Sequence, residues 1–240
     1  MRTFLAASMM SALAGSAMAQ SGGDWDMTGQ VYLWGAAVSG TTSTGQSIDL
    51  DFSDIVDKLD FALMGSFTAQ RDQLFTFADL IHLRVSEDKN AAIGPGVPVD
   101  ADARIKGTVL TAGVGYDMAR GEGARLATFA GTRALKMDTT VNLGIGGGSV
   151  RRTSSETYWD VIVGLTGYTQ LSDDWGLSYY ADVGAGETDL TWQTQISFDR
   201  EFDAWTLSLG YRYMAWELPS SSTLADVSFS GPVIGAKFTF

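Results

Sequence analysis

The chain contains no cysteine, and that absence removes every role that a thiol could play. A disulfide framework, a thiolate metal site, a cysteine nucleophile and a lipid-modified cysteine are all excluded. Proline is scarce, with 4 residues in 240, and histidine occurs once, at position 82. The protein must therefore be held together by backbone pairing and side-chain packing alone.

Positively charged residues are also few. Lys and Arg number 16 against 28 Asp and Glu, which gives a formal net charge of −12 at pH 7. A chain of this sign is not expected to bind nucleic acid, or anionic lipid over a broad surface, because both are polyanionic. Beyond residue 20 there is no apolar run of the roughly 20 residues that a membrane-spanning helix requires.

The N-terminal segment MRTFLAASMMSALAGSAMAQ has the pattern of an export signal. Arg2 is followed by an apolar, small-residue run and then by Ala17-Met18-Ala19, an A-x-A cleavage pattern. The alternative, a membrane anchor, needs a longer apolar run. The sequence therefore predicts a signal peptide over 1–19 and a single exported domain over 20–240.

What is present is a period of two among glycines and aromatic residues, with 28 Gly, 7 Trp, 8 Tyr and 12 Phe. In WTLSLGYRY (205–213) Trp, Leu and Tyr alternate with small or polar residues, as in a strand with one apolar face. In LFTFADLIHLRV (74–85) one parity carries Phe75, Phe77 and Ile81 but also Asp79, so its facing stays open between an irregular face and a bulge. Similar segments recur near 25–38, 59–70, 104–118, 124–137, 158–165, 175–185, 190–198 and 231–240.

The connections between these segments alternate between short and long. Short ones are predicted at 71–73, 120–123, 172–174 and 200–204, and long ones at 40–58, 87–103, 139–155 and 218–226. This alternation is typical of an all-β, antiparallel, up-and-down transmembrane barrel, here of about ten strands with eight possible. A secreted or periplasmic β-sandwich is the alternative. Trp residues at strand ends favour the membrane, where aromatic rings lie at headgroup depth: Trp25, Trp159, Trp175 and Trp205.

The C-terminal segment GPVIGAKFTF is predicted to be the strand that closes the barrel against 25–38. Its ending, with Gly235, Phe238 and Phe240, resembles the assembly signal of Gram-negative outer-membrane β-barrels, although Val233 stands where those signals carry a polar residue. Together with GYRYMAWEL (210–218), it resembles small barrels of the OmpA-like and opacity type. The resemblance implies a location in the cell outer membrane and contact with its lipid and with the barrel-assembly machinery. No cofactor is expected.

Charged residues on the polar faces of the strands are predicted to lie in the lumen, because a charge facing lipid costs about 2–4 kcal/mol for Lys or Arg. They are Asp79, Arg133, Asp160, Asp182, Arg212 and Lys237. Arg212 and Lys237 are expected to be neutralised by Asp160 and Asp182. A polar core that closes the barrel is the favoured interpretation, and a conducting pathway is the alternative.

Catalytic and metal-binding interpretations receive less support. His82 and Asp79 could begin a hydrolase site, but at strand spacing they have opposite parity and point to opposite faces. The acidic residues of 49–57 lack the glycine turn and distal Glu of a calcium loop, so a solvated loop is favoured and metal ligands are not assigned: Asp49, Asp51, Asp54 and Asp57. The segment GIGGGS (144–149) has no Lys after it and is predicted to be a surface loop.

The expected function is therefore a structural or surface-interaction role without catalysis. An extracellular ligand is expected to bind through the loops at 40–58, 87–103 and 139–155. A narrow channel for small solutes is the alternative, and a hydrolase built on His82 is the third possibility.

Overall fold

A computed structural model of the chain describes residues 25–56, 59–93, 97–145, 148–222 and 224–240. The predicted signal peptide, 1–19, lies outside the described residues.

The described chain is almost entirely strand. In the described residues, no helix has the length and apolar character needed to cross a membrane. The elements are β1 Asp26–Trp34, β2 Ala37–Thr42, β3 Ser47–Leu50, α1 Phe52–Val56, β4 Leu59–Arg71, β5 Leu74–Ile93, β6 Val97–Gly121, β7 Ala124–Ile145, β8 Gly148–Gln170, β9 Trp175–Gly186, β10 Leu190–Glu201, β11 Thr206–Glu217 and β12 Leu224–Thr239.

Ten of these strands, β1 and β4 to β12, form one closed antiparallel barrel in which each strand pairs with the next along the chain. The barrel closes where β12 pairs with β1, from Thr28 opposite Thr239 to Trp34 opposite Val233. The predicted up-and-down barrel of ten strands and its closing C-terminal strand are confirmed, and a two-sheet sandwich is ruled out. Because closure pairs the first and last strands, the barrel itself has no open edge.

The chain bends at Gly35, between β1 and β2, and β2 then pairs with the same strand as β1, which is β12. Gly35 N donates to the Pro232 carbonyl at 2.8 Å, and β2 pairs with residues 224–230 of β12. A Cβ at Gly231 would lie 1.9 Å from the Gly35 carbonyl oxygen, so only glycine allows this close approach. β3 then folds back on β2 as a short hairpin.

The two faces of the strands separate by polarity as predicted for most of the barrel. The outward apolar residues of β8 are exposed and those of β12 exposed or half-buried, whereas Tyr32 and Trp34 of β1 are buried in the lumen. In β5 the open question is resolved without a bulge at Asp79. Phe75, Phe77, Asp79 and Ile81 all face the lumen, where Phe75 and Ile81 each belong to a cluster of buried apolar side chains.

The short connections are confirmed, and turns at residues 72–73, 122–123, 171–174 and 202–205 define the short-turn end of the barrel. Two predicted loops are wrong. Most of 87–103 and 139–155 is strand, because β5 pairs with β6 as far as Ile93 opposite Val97, and β7 with β8 as far as Ile145 opposite Gly148. Apolar alternation fades in these segments, but ladder hydrogen bonds do not require it once both faces of a sheet are in water.

The other two long connections are shorter than expected. Within 40–58 the chain forms the end of β2, the strand β3 and the five-residue helix α1. Within 218–226 a turn follows Leu218, and β12 begins at Leu224.

Candidate functional site: the barrel lumen

The middle of the lumen is crossed by a row of polar side chains that the strand register sets at one level. Ser66 lies opposite Asp79, Asp79 opposite Thr111, Thr111 opposite Arg133, and Arg133 opposite Asp160. Residues opposite one another in neighbouring strands share a face of the sheet, so the row runs from β4 to β8 inside the barrel. We call it the polar belt.

Arg133 is the central cation of this belt and is fully buried. Its guanidinium forms an ion pair with Asp182. It also donates to Gln193 Oε1 at 3.0 Å, to Thr191 Oγ1 at 3.1 Å and to Thr111 Oγ1 at 3.3 Å. A buried charge is tolerated when an opposite charge and hydrogen-bond acceptors surround it, and Arg133 has both.

Arg212 forms a second polar cluster with β1 and β5. It donates to Tyr32 Oη at 2.8 Å and to Gln195 Oε1 at 2.6 Å, and its Nη2 lies 3.5 Å from Asp79 Oδ2. The Tyr32 hydroxyl donates in turn to Asp79 Oδ1 at 2.8 Å. The guanidinium also lies over the rings of Tyr32 and Trp34, with its carbon 4.8 Å and 5.5 Å from their centroids.

The expected pairing of Arg212 and Lys237 with Asp160 and Asp182 is wrong. Arg212 pairs with Asp79, and Lys237 Nζ lies 2.8 Å from Asp199 Oδ2. Asp182 pairs with Arg133.

Asp160 has no Lys or Arg partner among the described ion pairs. It accepts instead from Thr188, from the backbone N–H at Oδ1 and from the hydroxyl at Oδ2, each at 2.9 Å. Parity in sequence assigns a residue to a face, but it does not fix the height at which side chains meet across a tilted barrel. Height depends on the stagger between strands.

Two lumen carboxylates were missed by the sequence analysis. Asp199 continues the inward parity of Gln193, Gln195 and Ser197, so extending that segment by one step would have found it. Asp117 accepts from Gln70, Arg120 and Arg125 at 2.9, 2.5 and 2.7 Å near the short-turn end. It lies beside a register shift between Asp117 and Ala119, which a strict period of two cannot reveal.

An apolar belt lies two residues further along the strands, toward the end away from the short turns. Met64 lies opposite Ile81, Ile81 opposite Val109, Val109 opposite Leu135, and Leu135 opposite Tyr158. The facing wall adds buried apolar side chains to the same cluster: Trp34, Met214, Trp216, Val227 and Val233. The closure of the lumen is therefore apolar as well as polar, whereas the sequence suggested a polar core alone.

A chamber of about 320 Å³ lies in the lumen between the polar belt and the short-turn end. Hydroxyl and amide side chains line it, together with Asp79, Arg212 and Lys237. Phe129 contributes a ring stacked on Tyr180, with centroids 5.1 Å apart. The chamber therefore lies on the short-turn side of the apolar belt, and polar-belt residues form part of its wall.

The predicted interfacial Trp residues are exposed on the outside of the barrel. Trp25, Trp175 and Trp205 lie near the short-turn end, where the Arg200 guanidinium carbon is 5.4 Å from the Trp175 ring centroid. Trp159 lies near the opposite end of β9, where its backbone N–H donates to Glu187 Oε2 at 2.8 Å. Their contact with lipid headgroups remains a prediction.

The residues of the predicted insertion signal lie on the closing strand. Phe238 and Phe240 are exposed on the outer surface, and Gly235 faces the lumen against Tyr32 and Gln30. Phe240 exchanges two backbone hydrogen bonds with Met27, of 2.9 and 3.1 Å. Their role in assembly remains a prediction.

His82 and Asp79 point to opposite sides of the barrel wall, so they do not form a catalytic pair. Asp79 faces the lumen, whereas His82 lies on the outer face, 2.8 Å from Thr108 Oγ1 and with its ring centroid 6.0 Å from that of Phe61. In the acidic segment, Asp49 and Asp51 are exposed. The side chain of Asp54, residue Asp57 and the side chains of 144–149 lie outside what the structure describes.

A closed sheet with an apolar outer face leaves no backbone group unpaired toward lipid, which is the condition for a strand protein to span a membrane. The chain is therefore an integral β-barrel protein of the cell outer membrane.

No family model matches the sequence, and no characterised protein matches it. Solved barrels resemble its fold. The translocator domain of the autotransporter NalP from Neisseria meningitidis shares 14% identity over 92% of this chain and 90% of that chain, with a TM-score of 0.44. The outer-membrane protease OmpT from Escherichia coli shares 12% over 90% and 97%, with a TM-score of 0.47. Ail of Yersinia pestis shares 15% over 90% and 98%, with a TM-score of 0.40.

Proposed function

We propose that this protein is a closed, non-enzymatic outer-membrane barrel whose role is interaction at the cell surface. The observation that carries the proposal is a four-stranded sheet that continues beyond the barrel wall. Pairing of β4 with β5 ends at Leu59 opposite Val85, and pairing of β8 with β9 ends at Asp160 opposite Gly186. The four strands β5 to β8 continue past both points.

We call this extension the projecting sheet, and it comprises residues 86–93, 97–106, 138–145 and 148–158. At about 3.3 Å per residue, β5 runs on for about 25 Å and β8 for about 40 Å along their own directions. Outer-membrane barrels place short turns in the periplasm and long connections outside the cell, so the projecting sheet is on the outer side. Its two edge strands offer backbone N–H and C=O groups to a partner.

The lumen supports this role over conduction. An ion crossing the barrel would have to pass the ion pair of Arg133 and Asp182 and then the apolar belt. Trp216 and Leu135 of that belt are buried, and moving a charge through dry apolar packing is costly. A channel for small solutes is therefore the less favoured candidate.

The absence of cysteine allows a clean test of surface display. A single cysteine replacing exposed Thr153 should react in whole cells with a maleimide that does not cross membranes, whereas one replacing Asp203, in a short turn, should react only after lysis. Purified protein in planar bilayers should show no conductance steps. Steady ion conduction, or labelling of the two positions in the reverse order, would contradict the proposal.

The interaction itself is tested by trimming the projecting sheet in register. Asn-Gly can replace 88–102, joining Glu87 to Ala103, and can replace 139–154, joining Asp138 to Ser155, because each retained pair lies directly opposite. Cells displaying the full chain should bind a panel of immobilised glycans and matrix proteins at least severalfold better than cells with the trimmed barrel. Equal binding by the full and the trimmed protein, with both folded, would contradict the proposed role in surface interaction.

A further inference from the structure

Four exposed cations are grouped on strands β5 to β7, just beyond the apolar outer surface of the barrel. Arg84 of β5 lies directly opposite Lys106 of β6, and Arg104 stands two residues before Lys106 on the same face. Lys136 of the neighbouring strand β7 is half exposed and belongs to the adjacent row of that face. These four residues are called the cationic face.

The cationic face points outward, toward lipid and not into the lumen. Arg84 lies opposite Phe61, which is exposed on the outside of β4. Leu110 lies four residues after Lys106 on the same face of β6, toward the membrane, and is exposed. The row of residues opposite Leu110 continues through β7 to Trp159 of β8. At about 3.3 Å per residue on a tilted strand, the cations lie about 10 Å beyond that apolar row, which is headgroup depth.

The arrangement places like charges next to one another. Arg84 and Lys106 face each other directly across the strand pair, an arrangement that destabilises a sheet unless an anion offsets it. Among the described side chains of these rows, Asp138 is the carboxylate, and it lies directly opposite Lys106 on β7, so it offsets part of this repulsion. Its Oδ2 is 3.7 Å from Lys136 Nζ, and its Oδ1 accepts from the Ser155 hydroxyl at 2.5 Å. Cations therefore outnumber carboxylates among these described side chains, in a chain whose formal net charge is −12.

We propose that the cationic face binds the phosphorylated headgroups of lipids in the outer leaflet. Arginine offers a planar pair of N–H groups to phosphate oxygens, and lysine adds a compact charge beside it. The face stands at the height of such headgroups and opposes the sign of the chain as a whole, so the attraction is local. Arg104 and Lys106 lie at the base of the projecting sheet, but trimming that sheet as described above removes only 88–102 and 139–154 and leaves all four cations in place. The lipid contact and the surface role can therefore be tested separately.

The test compares two double variants that remove the same charge. Arg84→Gln with Lys106→Gln neutralises the cationic face. Arg71→Gln with Arg152→Gln neutralises one exposed cation at the end of β4 and one on the opposite face of β8. The probe is a diphosphorylated glycolipid, lipid A, titrated in mixed micelles, with its dephosphorylated form alongside. Heat-modifiable mobility in gels confirms that each barrel is folded.

Wild-type protein and the control variant should bind the diphosphorylated lipid equally, and the Arg84/Lys106 variant about tenfold more weakly. The difference should shrink at high salt, because exposed charges are screened. Equal binding by the two double variants, or equal binding of the dephosphorylated lipid, would overturn the proposal. Displacement of the lipid by millimolar inorganic phosphate would also overturn it, by assigning the face to free phosphate.

Discussion

Arg133 and Asp182 form an ion pair across the lumen from strands β7 and β9, which are not neighbours in the sheet. The exposed fraction of each side chain is 0%. The pair therefore joins two strands that share no backbone hydrogen bonds with each other. Since the site is dry, each charge depends on the other for compensation.

Replacing Arg133 by Ala should lower the free energy of unfolding by about 3–5 kcal/mol, because Asp182 would remain as a buried carboxylate without its partner. Urea unfolding in detergent micelles measures the change. The double variant Arg133→Met with Asp182→Leu removes both charges and should recover most of the loss. A loss of about 1 kcal/mol or less in the single variant would mean that water reaches the pair.

Arg212→Ala should cost less than Arg133→Ala, by the same measurement. Its partner Asp79 is 20% exposed and lines the lumen chamber, so water can compensate the carboxylate after the cation is removed. The expected loss is about 1–3 kcal/mol. Asp79→Asn is the matched change on the other side of the contact. If Arg212→Ala were more damaging than Arg133→Ala, the chamber could not be hydrated.

Which side chains face the lumen could be read from the sequence, because the period of two is a local property of each strand. The sequence predicts a lumen position for Asp182 and Arg212 in this way, and both side chains lie there. Their partners could not be predicted, since the contacts of Arg212 with Tyr32 and Asp79 span 180 and 133 positions of the chain and depend on barrel stagger.

The apolar belt and the projecting sheet escaped sequence analysis for related reasons. The facing of Ile81 stays open in the sequence and that of Leu135 is not assigned, because apolar character alone does not say which side of a barrel wall a residue occupies. The hairpins at 87–103 and 139–155 look like loops, because strands with water on both faces lose the alternation that marks membrane strands. In both cases the deciding information is the register between strands.

Removing residues 238–240 should prevent assembly. The deletion takes away the Phe240 ladder contacts with Met27 and the pairs of Thr239 with Thr28 and of Phe238 with Gly29, so the barrel cannot close at the short-turn end. Outer-membrane fractions should contain little folded, heat-modifiable protein.

The control for that deletion is Phe202→Ala, which removes an exposed aromatic ring at the short-turn end without touching the closing strand. It should leave the yield close to that of the wild type. Normal yield from the truncated chain would show that neither the ladder nor the terminal Phe is needed for insertion.

The last prediction separates packing from hydrogen bonding in the apolar belt. The indole N–H of Trp216 is buried and has no acceptor among the described residues, so its contribution is the volume of the ring. Trp216→Phe should therefore cost about 1–2 kcal/mol, and Trp216→Ala about 3–5 kcal/mol, because the belt would contain a cavity.

The variant Met214→Ala with Trp216→Ala removes two neighbouring buried side chains of one strand and extends that cavity across the belt. It should be the first to leak ions in planar bilayers, whereas Trp216→Phe should stay silent because an apolar ring still fills the gap. Arg133 and Asp182 remain in place in both variants, so any conduction that appears is due to the apolar belt. If Trp216→Ala kept wild-type stability and the double variant stayed silent, the polar belt alone would close the lumen.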